Sequence, residues 1–228
     1  MLLLDKTRDF DDDVYRNIVS LRESEDLFDD LTDGDPSMSA IAIEAESRVK
    51  SHIPPDLLGR GFHYTVSIAY PFENEPYLKT RYGNGSYGVW YGSLALETTI
   101  YETAYHMVRE ESGVEGNRRS VYRERAVYLV HSKALLIDLS GKEMEYPALT
   151  GQDYGFTCQI GERLYMEGHP GLLAPSARHP GGVNLVALSR KILSDPRLYC
   201  YLAYRCDLAR RTVVVERAPG EVVASLKF

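Results

Sequence analysis

The sequence predicts an α+β fold. Three observations lead there: helical periodicity concentrates in the first half, strand-like apolar runs dominate the second, and no regular strand–helix alternation marks a doubly wound sheet. With 228 residues and 44% hydrophobic content, the chain can bury a sizeable core as one domain or one domain with an extension.

Taken in order, the elements begin with a helix over residues 11–32, where Val14, Ile18, Leu21, Phe28 and Leu31 recur at helical intervals between polar stretches. Asp33, Gly34, Asp35 and Pro36 mark a turn. Residues 39–50 read as a second helix, stopped before Pro54 and Pro55. Together these form an acidic helical N-terminal extension, residues 1–60, packed on a core of residues 61–228. HYTVSIAY, 63–70, has strand composition and ends at Pro71. VWY, 89–91, reads as a strand, and a helix follows from Leu94 with Leu96, Ile100, Ala104, Met107 and Val108 on its apolar face. AVYLVHSKALLIDL, 126–139, suggests two short strands around a turn at Ser132 and Lys133. Residues 152–166 look helical, with Ile160 and Leu164 inward. GLLAPS, 171–176, and GVNLVALS, 182–189, read as strands flanking a glycine-rich turn, and LYCYLAYRCDL and RTVVVER complete a strand-rich C-terminal part.

Composition excludes several classes of function. Cys158, Cys200 and Cys206 are too few and too irregularly spaced for a disulfide framework or a structural zinc site, so a reducing cytoplasm is expected. No apolar run reaches the roughly 18 residues of a membrane span, and the opening MLLLD meets an aspartate at once, without a signal-peptide core. The net charge of −7 is unevenly placed: residues 1–35 hold twelve acids against four bases, the remainder 21 acids against 22 bases. With no basic stripe, direct nucleic-acid binding is not expected. The run DFDDD, 9–13, is read as a solvated surface; the sharper alternative is a docking surface for a basic partner.

RYGNGSYGVWYG, 81–92, matches GxGxxG through Gly83, Gly85 and Gly88. A Rossmann turn comes off a buried strand and runs straight into a helix that meets the phosphates. Here polar, proline-bearing NEPYLKTRY precedes the glycines and a strand follows, so they are read instead as turn residues.

Three groups of residues can carry chemistry. Arg81 and Tyr91 flank the glycine turn: the guanidinium either forks onto a phosphate or carboxylate or is a surface arginine, and the phenol either stacks on a flat ring or belongs to the core. ETTIYETAYH places Glu97, Glu102 and His106 on the following helix; Glu102 and His106 are four apart, but HExxH is absent and no metal site is expected. APSARHPGG, 174–182, sets Ser176, Arg178 and His179 in a loop between strands. A serine-hydrolase reading lacks the GxSxG elbow, and a histidine three residues on is poor triad geometry, so Ser176 is better read as a hydrogen-bonding group than as a nucleophile.

Arg81 in TRYGNGSYGVWY, Glu102 in ETTIYETAYH and Ser176 in APSARHPGG, in that order with Tyr91 between the first two, resemble the RES domain family, named for its arginine, glutamate and serine. YRNIVS, 15–20, looks like the Tyr-Arg opening of longer members, and YLAYRCD, 201–207, like their final strand. The resemblance implies a strand-rich core related to ADP-ribosyltransferases and a toxin of a bacterial toxin–antitoxin pair that takes NAD as substrate, with no cofactor of its own. It implies Arg81, Glu102 and Ser176 as catalytic residues and Tyr91 and Arg16 as substrate-binding ones: Arg81 on the pyrophosphate, Arg16 a further phosphate contact, Tyr91 against nicotinamide, Glu102 beside the ribose, and Ser176 bonding that ribose or orienting Glu102. Water, phosphate or a protein side chain as acceptor would give a glycohydrolase, a phosphorylase or an ADP-ribosyltransferase, with NAD degradation preferred; a non-catalytic nucleotide- or partner-binding module is the alternative of another class. The implied partner is an Xre-like helix-turn-helix antitoxin, and a homodimer fits the family.

Overall fold

The computed structural model describes residues 3–19, 64–73, 75–113 and 120–228. Its frame is one mixed, strand-rich sheet of eight strands: β1 Thr7–Val19, β2 Trp90–Ser93, β3 Ser120–Asp138, β4 Gly171–Pro175, β5 Val183–Ala187, β6 Leu193–Asp207, β7 Thr212–Ala218 and β8 Glu221–Lys227. Two longer helices pack on it, α1 Leu96–Ser112 and α2 Gly155–Met166.

The sheet order β1-β2-β5-β4-β3-β6-β7-β8 closes on itself, because β1 also pairs antiparallel with β3 from Thr7↔Ile137 to Val19↔Arg125. Five strands therefore form a ring, and β6, β7 and β8 extend from the other edge of β3. Residues of all five ring strands meet in one buried cluster, among them Phe10, Val14, Trp90, Tyr128, Leu173 and Leu185, which fills the interior. The weak point of the ring is the β1–β2 seam, held by the single pair Tyr15↔Ser93.

Each helix covers an outer face. The stripe Ile100, Ala104, Met107 and Val108 of α1 packs on Val127, Leu202, Tyr204, Val213 and Val215. Ile160 and Leu164 of α2 pack on Leu172, Val186 and the glycine turn through Tyr82 and Tyr87. Gly161 is required there, since a Cβ would stand 2.0 Å from the Tyr82 carbonyl oxygen. In the glycine turn itself, Gly85 has φ +94° and Gly88 lies so close to the Pro71 carbonyl that a Cβ would come within 2.3 Å.

Three sequence expectations are corrected. The helix expected from residue 11 is strand β1 as far as Val19, a member of the core sheet rather than of a helical extension; Phe10, Val14 and Ile18 are spaced by four, an even interval that keeps them on one face of a strand as well as a helix. Residues 63–70 were expected as a strand, yet 64–73 are helical, with a wide turn at Thr65–Ala69 and an α-turn at Tyr70–Glu73. Ser67, Ile68 and Ala69 are buried consecutively rather than alternately, and the Trp90 indole donates to the Ser67 carbonyl at 2.6 Å, so tertiary packing overrides β-propensity. The two strands of 126–139 are one continuous strand: Ser132 and Lys133 pair with Asp12 and Asp11 of β1, and Lys133 Nζ meets Asp11 at 2.5 Å. The rest of the first helix, the turn at 33–36, the helix at 39–50 and the division at residue 60 lie outside the described residues.

Candidate active site

A cavity of about 580 Å³ opens beside the β1–β2 seam, between α1, the glycine turn and the loop that follows β4. The chain brings four expected residues to its lining, Arg16, Arg81, Tyr91 and Glu102, and places Ser176 directly behind the last of them. Its charged side chains are Arg16, Lys79, Arg81, Arg109 and Arg178 against the single carboxylate of Glu102. A protein of net charge −7 thus encloses a cationic cleft, which focuses an anionic ligand toward it.

Glu102 is placed by helical geometry. Thr99, Glu102, Thr103 and His106 follow one another at i, i+3, i+4 and i+7, flanking the buried stripe of α1, and so turn toward the cleft. Adjacent strands fix the carboxylate from below. Ser93 of β2 and Ala174 of β4 both pair with Asn184 of β5; Ser93 Oγ donates to Asn184 Oδ1 at 2.6 Å, and Asn184 Nδ2 donates to Glu102 Oε1 at 3.1 Å. Ser176 Oγ donates to the same Oε1 at 2.6 Å.

Ser176 is confined to that role by the backbone. Its oxygen accepts the N–H groups of Arg178 at 3.2 Å and His179 at 3.0 Å, which occupy its lone pairs and leave its proton for Glu102. The His179 ring turns away from Ser176, onto α1: Nδ1 lies 2.9 Å from Thr98 Oγ1 and the imidazole stacks on Tyr101 at 4.6 Å. This is no nucleophile–base pair. Oε1 of Glu102 thus accepts twice, and Oε2 lies 4.0 Å from His106 Nε2. Burial holds the His106 pKa below its ordinary value despite the nearby Glu102.

The two arginines expected to meet phosphate are held differently. Arg81 Nη1 donates to the carbonyls of Leu149 at 3.1 Å and Gly151 at 2.8 Å, and its guanidinium lies over the Tyr154 ring. Arg16 reaches from β1 over the Trp90 ring, with Nη1 donating to the Tyr91 carbonyl at 2.6 Å. Tyr91 is fixed at its tip: the hydroxyl donates to Thr80 Oγ1 at 2.8 Å and accepts from the Tyr82 N–H at 2.9 Å, while burial pushes its pKa up and keeps the phenol protonated.

Sequence reasoning missed Asn184, Arg109 and the role of Arg178, whose guanidinium covers the Tyr105 ring at 3.5 Å. Asn184 did leave a signal, as the one amide within the apolar run GVNLVAL. Among the described residues no group of three or more His, Cys, Asp or Glu side chains is placed to hold a metal ion, and no helix is long and apolar enough to cross a membrane.

No match was found among curated proteins by sequence. Among solved structures, one similar fold is in the crystal structure of the M. tuberculosis MbcT–MbcA toxin–antitoxin complex, at 12% identity and a TM-score of 0.45, covering 86% of this chain and 85% of that one. The RES domain profile matches residues 54–207, which include Arg81, Tyr91, Glu102 and Ser176. The chain belongs to the RES domain family.

Proposed function

We propose that this protein is the toxin of a toxin–antitoxin pair and that it breaks the bond between nicotinamide and ribose in NAD, in a core related to ADP-ribosyltransferases. The observation that carries the reading is a lone carboxylate, Glu102, pinned by Ser176 and Asn184 within an otherwise cationic cleft. A pyrophosphate is matched by the arginines, and a sugar that gains positive charge is matched by Glu102.

The reaction needs little else. As the C1′–N1 bond breaks, its electron pair passes to the ring nitrogen, and nicotinamide leaves as a neutral molecule without a general acid. The ribose is left oxocarbenium-like, as in glycosidic cleavage. Oε2 of Glu102 stabilises that charge or grips a ribose hydroxyl more strongly as charge develops, and the fixed Oε1 means no reorganisation accompanies the step. Tyr91, locked at its hydroxyl, offers a ring of fixed orientation to the nicotinamide. An acceptor oxygen then adds to C1′ and loses its proton.

Incubating the protein with NAD and measuring free nicotinamide tests the reading; no release sinks it. Product mass with and without inorganic phosphate separates hydrolysis from phosphorolysis, and labelled protein would show ADP-ribosyl transfer instead. The partner that silences such a toxin is an Xre-like helix-turn-helix antitoxin, tested by co-purification with the product of the neighbouring gene.

A further inference from the structure

His106 stands one turn beyond Glu102 on α1 and lines the same cleft. Its Nε2 lies 4.0 Å from Glu102 Oε2, too far for a direct hydrogen bond. An oxygen atom set about 2.8 Å from each, an ordinary hydrogen-bond length, would bridge the two with an angle of roughly 90° at that oxygen. The imidazole is braced for such a contact. It meets the Tyr105 ring edge-on with centroids 5.5 Å apart, and Tyr105 is itself held, under the Arg178 guanidinium and through its hydroxyl, which donates to Gln152 Oε1 at 3.3 Å. The His106 side chain is also half-exposed, so a proton taken up there has a way out to solvent.

An acceptor that adds to C1′ through an O–H group must lose its proton, and the described lining residues offer two side chains of a type that takes one near neutral pH, Glu102 and His106. Ser176 behind them is already committed, its proton to Oε1 and its lone pairs to two N–H groups. Glu102 is the poorer choice of the two, because a proton on the carboxylate would cancel the charge that faces the sugar. On Nε2 the same proton makes a cation 4.0 Å from Oε2, which the carboxylate attracts. Burial, together with Arg178 and Arg109, lowers the pKa of the imidazole against the pull of Glu102 and Glu110, which extends the range of its lone-pair form toward lower pH.

We propose that His106 is the catalytic base of the second half of the reaction and that the acceptor it serves is a water molecule held between Nε2 and Oε2. The electron pair of the C1′–N1 bond leaves with nicotinamide, a lone pair of the water oxygen forms the C1′–O bond, and one O–H proton passes to Nε2. The products are ADP-ribose, neutral nicotinamide and an imidazolium that returns its proton to solvent. This rests on the reading of the cleft as a site of NAD cleavage and names the acceptor. A phosphate oxygen arrives already ionised and has no use for such a base.

The test supplies proton-free acceptors beside water. Labelled nicotinamide, which adds back through its ring nitrogen to regenerate NAD, and azide both capture the sugar without a base, so their capture relative to ADP-ribose formation reads the base alone. In His106→Gln the ratio should rise about 10²-fold, the lower range of general-base catalysis, in a preparation whose melting curve shows it folded. In the parent the ratio should rise as pH falls below about 6.5 and the imidazole takes up its proton, a measurement that needs no variant. The role is overturned if the ratio in folded His106→Gln stays within about threefold of the parent, if the parent ratio is flat across that pH range, or if the parent forms the phosphorolysis product alone. A parent that releases no nicotinamide removes the NAD reading and this role together, whereas one that releases it with the ratio unmoved loses this role and keeps the reading.

Discussion

Replacing Glu102 by glutamine removes the only negative charge among the described residues that line the cleft while preserving its shape. The amide oxygen still accepts from Ser176 and Asn184, which stand 2.6 and 3.1 Å from Oε1, so the side chain keeps its place. What is lost is the attraction between Oε2 and the cationic sugar. At a separation of roughly 4 Å and an effective dielectric of about 20, that attraction is about 4 kcal/mol, a loss of about 10³-fold in turnover. Two charge-assisted hydrogen bonds become neutral ones, costing about 1–2 kcal/mol of stability in total and roughly 2–8 °C in melting temperature. Because the carboxylate acts on positive charge that moves from the nicotinamide ring onto the sugar only as the bond breaks, kcat should fall more than KM rises. Nicotinamide release under saturating NAD, with a melting curve of the same preparation, measures both. A folded Glu102→Gln protein that turns NAD over within about tenfold of the parent would refute the electrostatic role.

Three other perturbations test the supporting structure. His179→Ala removes the stack on Tyr101 and the contact with Thr98, loosening the backbone N–H that fixes Ser176; steady-state kinetics should show a drop of about 10- to 100-fold in turnover with little change in NAD affinity, and equal losses in both would show a general collapse of the site. Gly161→Ala forces a methyl against the Tyr82 carbonyl at 2.0 Å; about 1–3 kcal/mol of destabilisation is expected in urea melts, and unchanged stability would contradict the close approach of α2. His106, held neutral by burial, has a folded pKa below its unfolded one, so the unfolded state takes up the proton first as pH falls. Its contribution is complete above about pH 6.5 and is lost as pH falls through the folded value; urea melts on either side of that window should show the parent losing stability relative to His106→Gln at the lower pH, and an equal difference at both would refute the reasoning.

Much of this site is written locally. The strand, helix and loop that carry Tyr91, Glu102 and Ser176 are marked by short-range periodicity, and β2, β4, β5, α1 and α2 form close to where the pattern sets them. The errors have a common cause in partners distant along the chain. Phe10, Val14 and Ile18 satisfy two periods at once, and only the pairing of β1 with β3 selects the strand. Ser132 and Lys133 look like a turn until Asp11 and Asp12 are set opposite them. The place of Arg16 over Trp90, bonded to the Tyr91 carbonyl, was equally hidden, since those neighbours lie some 75 residues along the chain.

Closure of the ring by the first strand has a consequence for biosynthesis. Arg16 emerges from the ribosome early, but β3 must follow before β1 has its long partner, and Asn184 on β5 comes last among the groups that hold Glu102. At 5–20 residues per second, that interval is roughly 10–30 s. A nascent or prematurely terminated chain that stops before Asn184 therefore lacks one of the two donors that hold the Glu102 carboxylate.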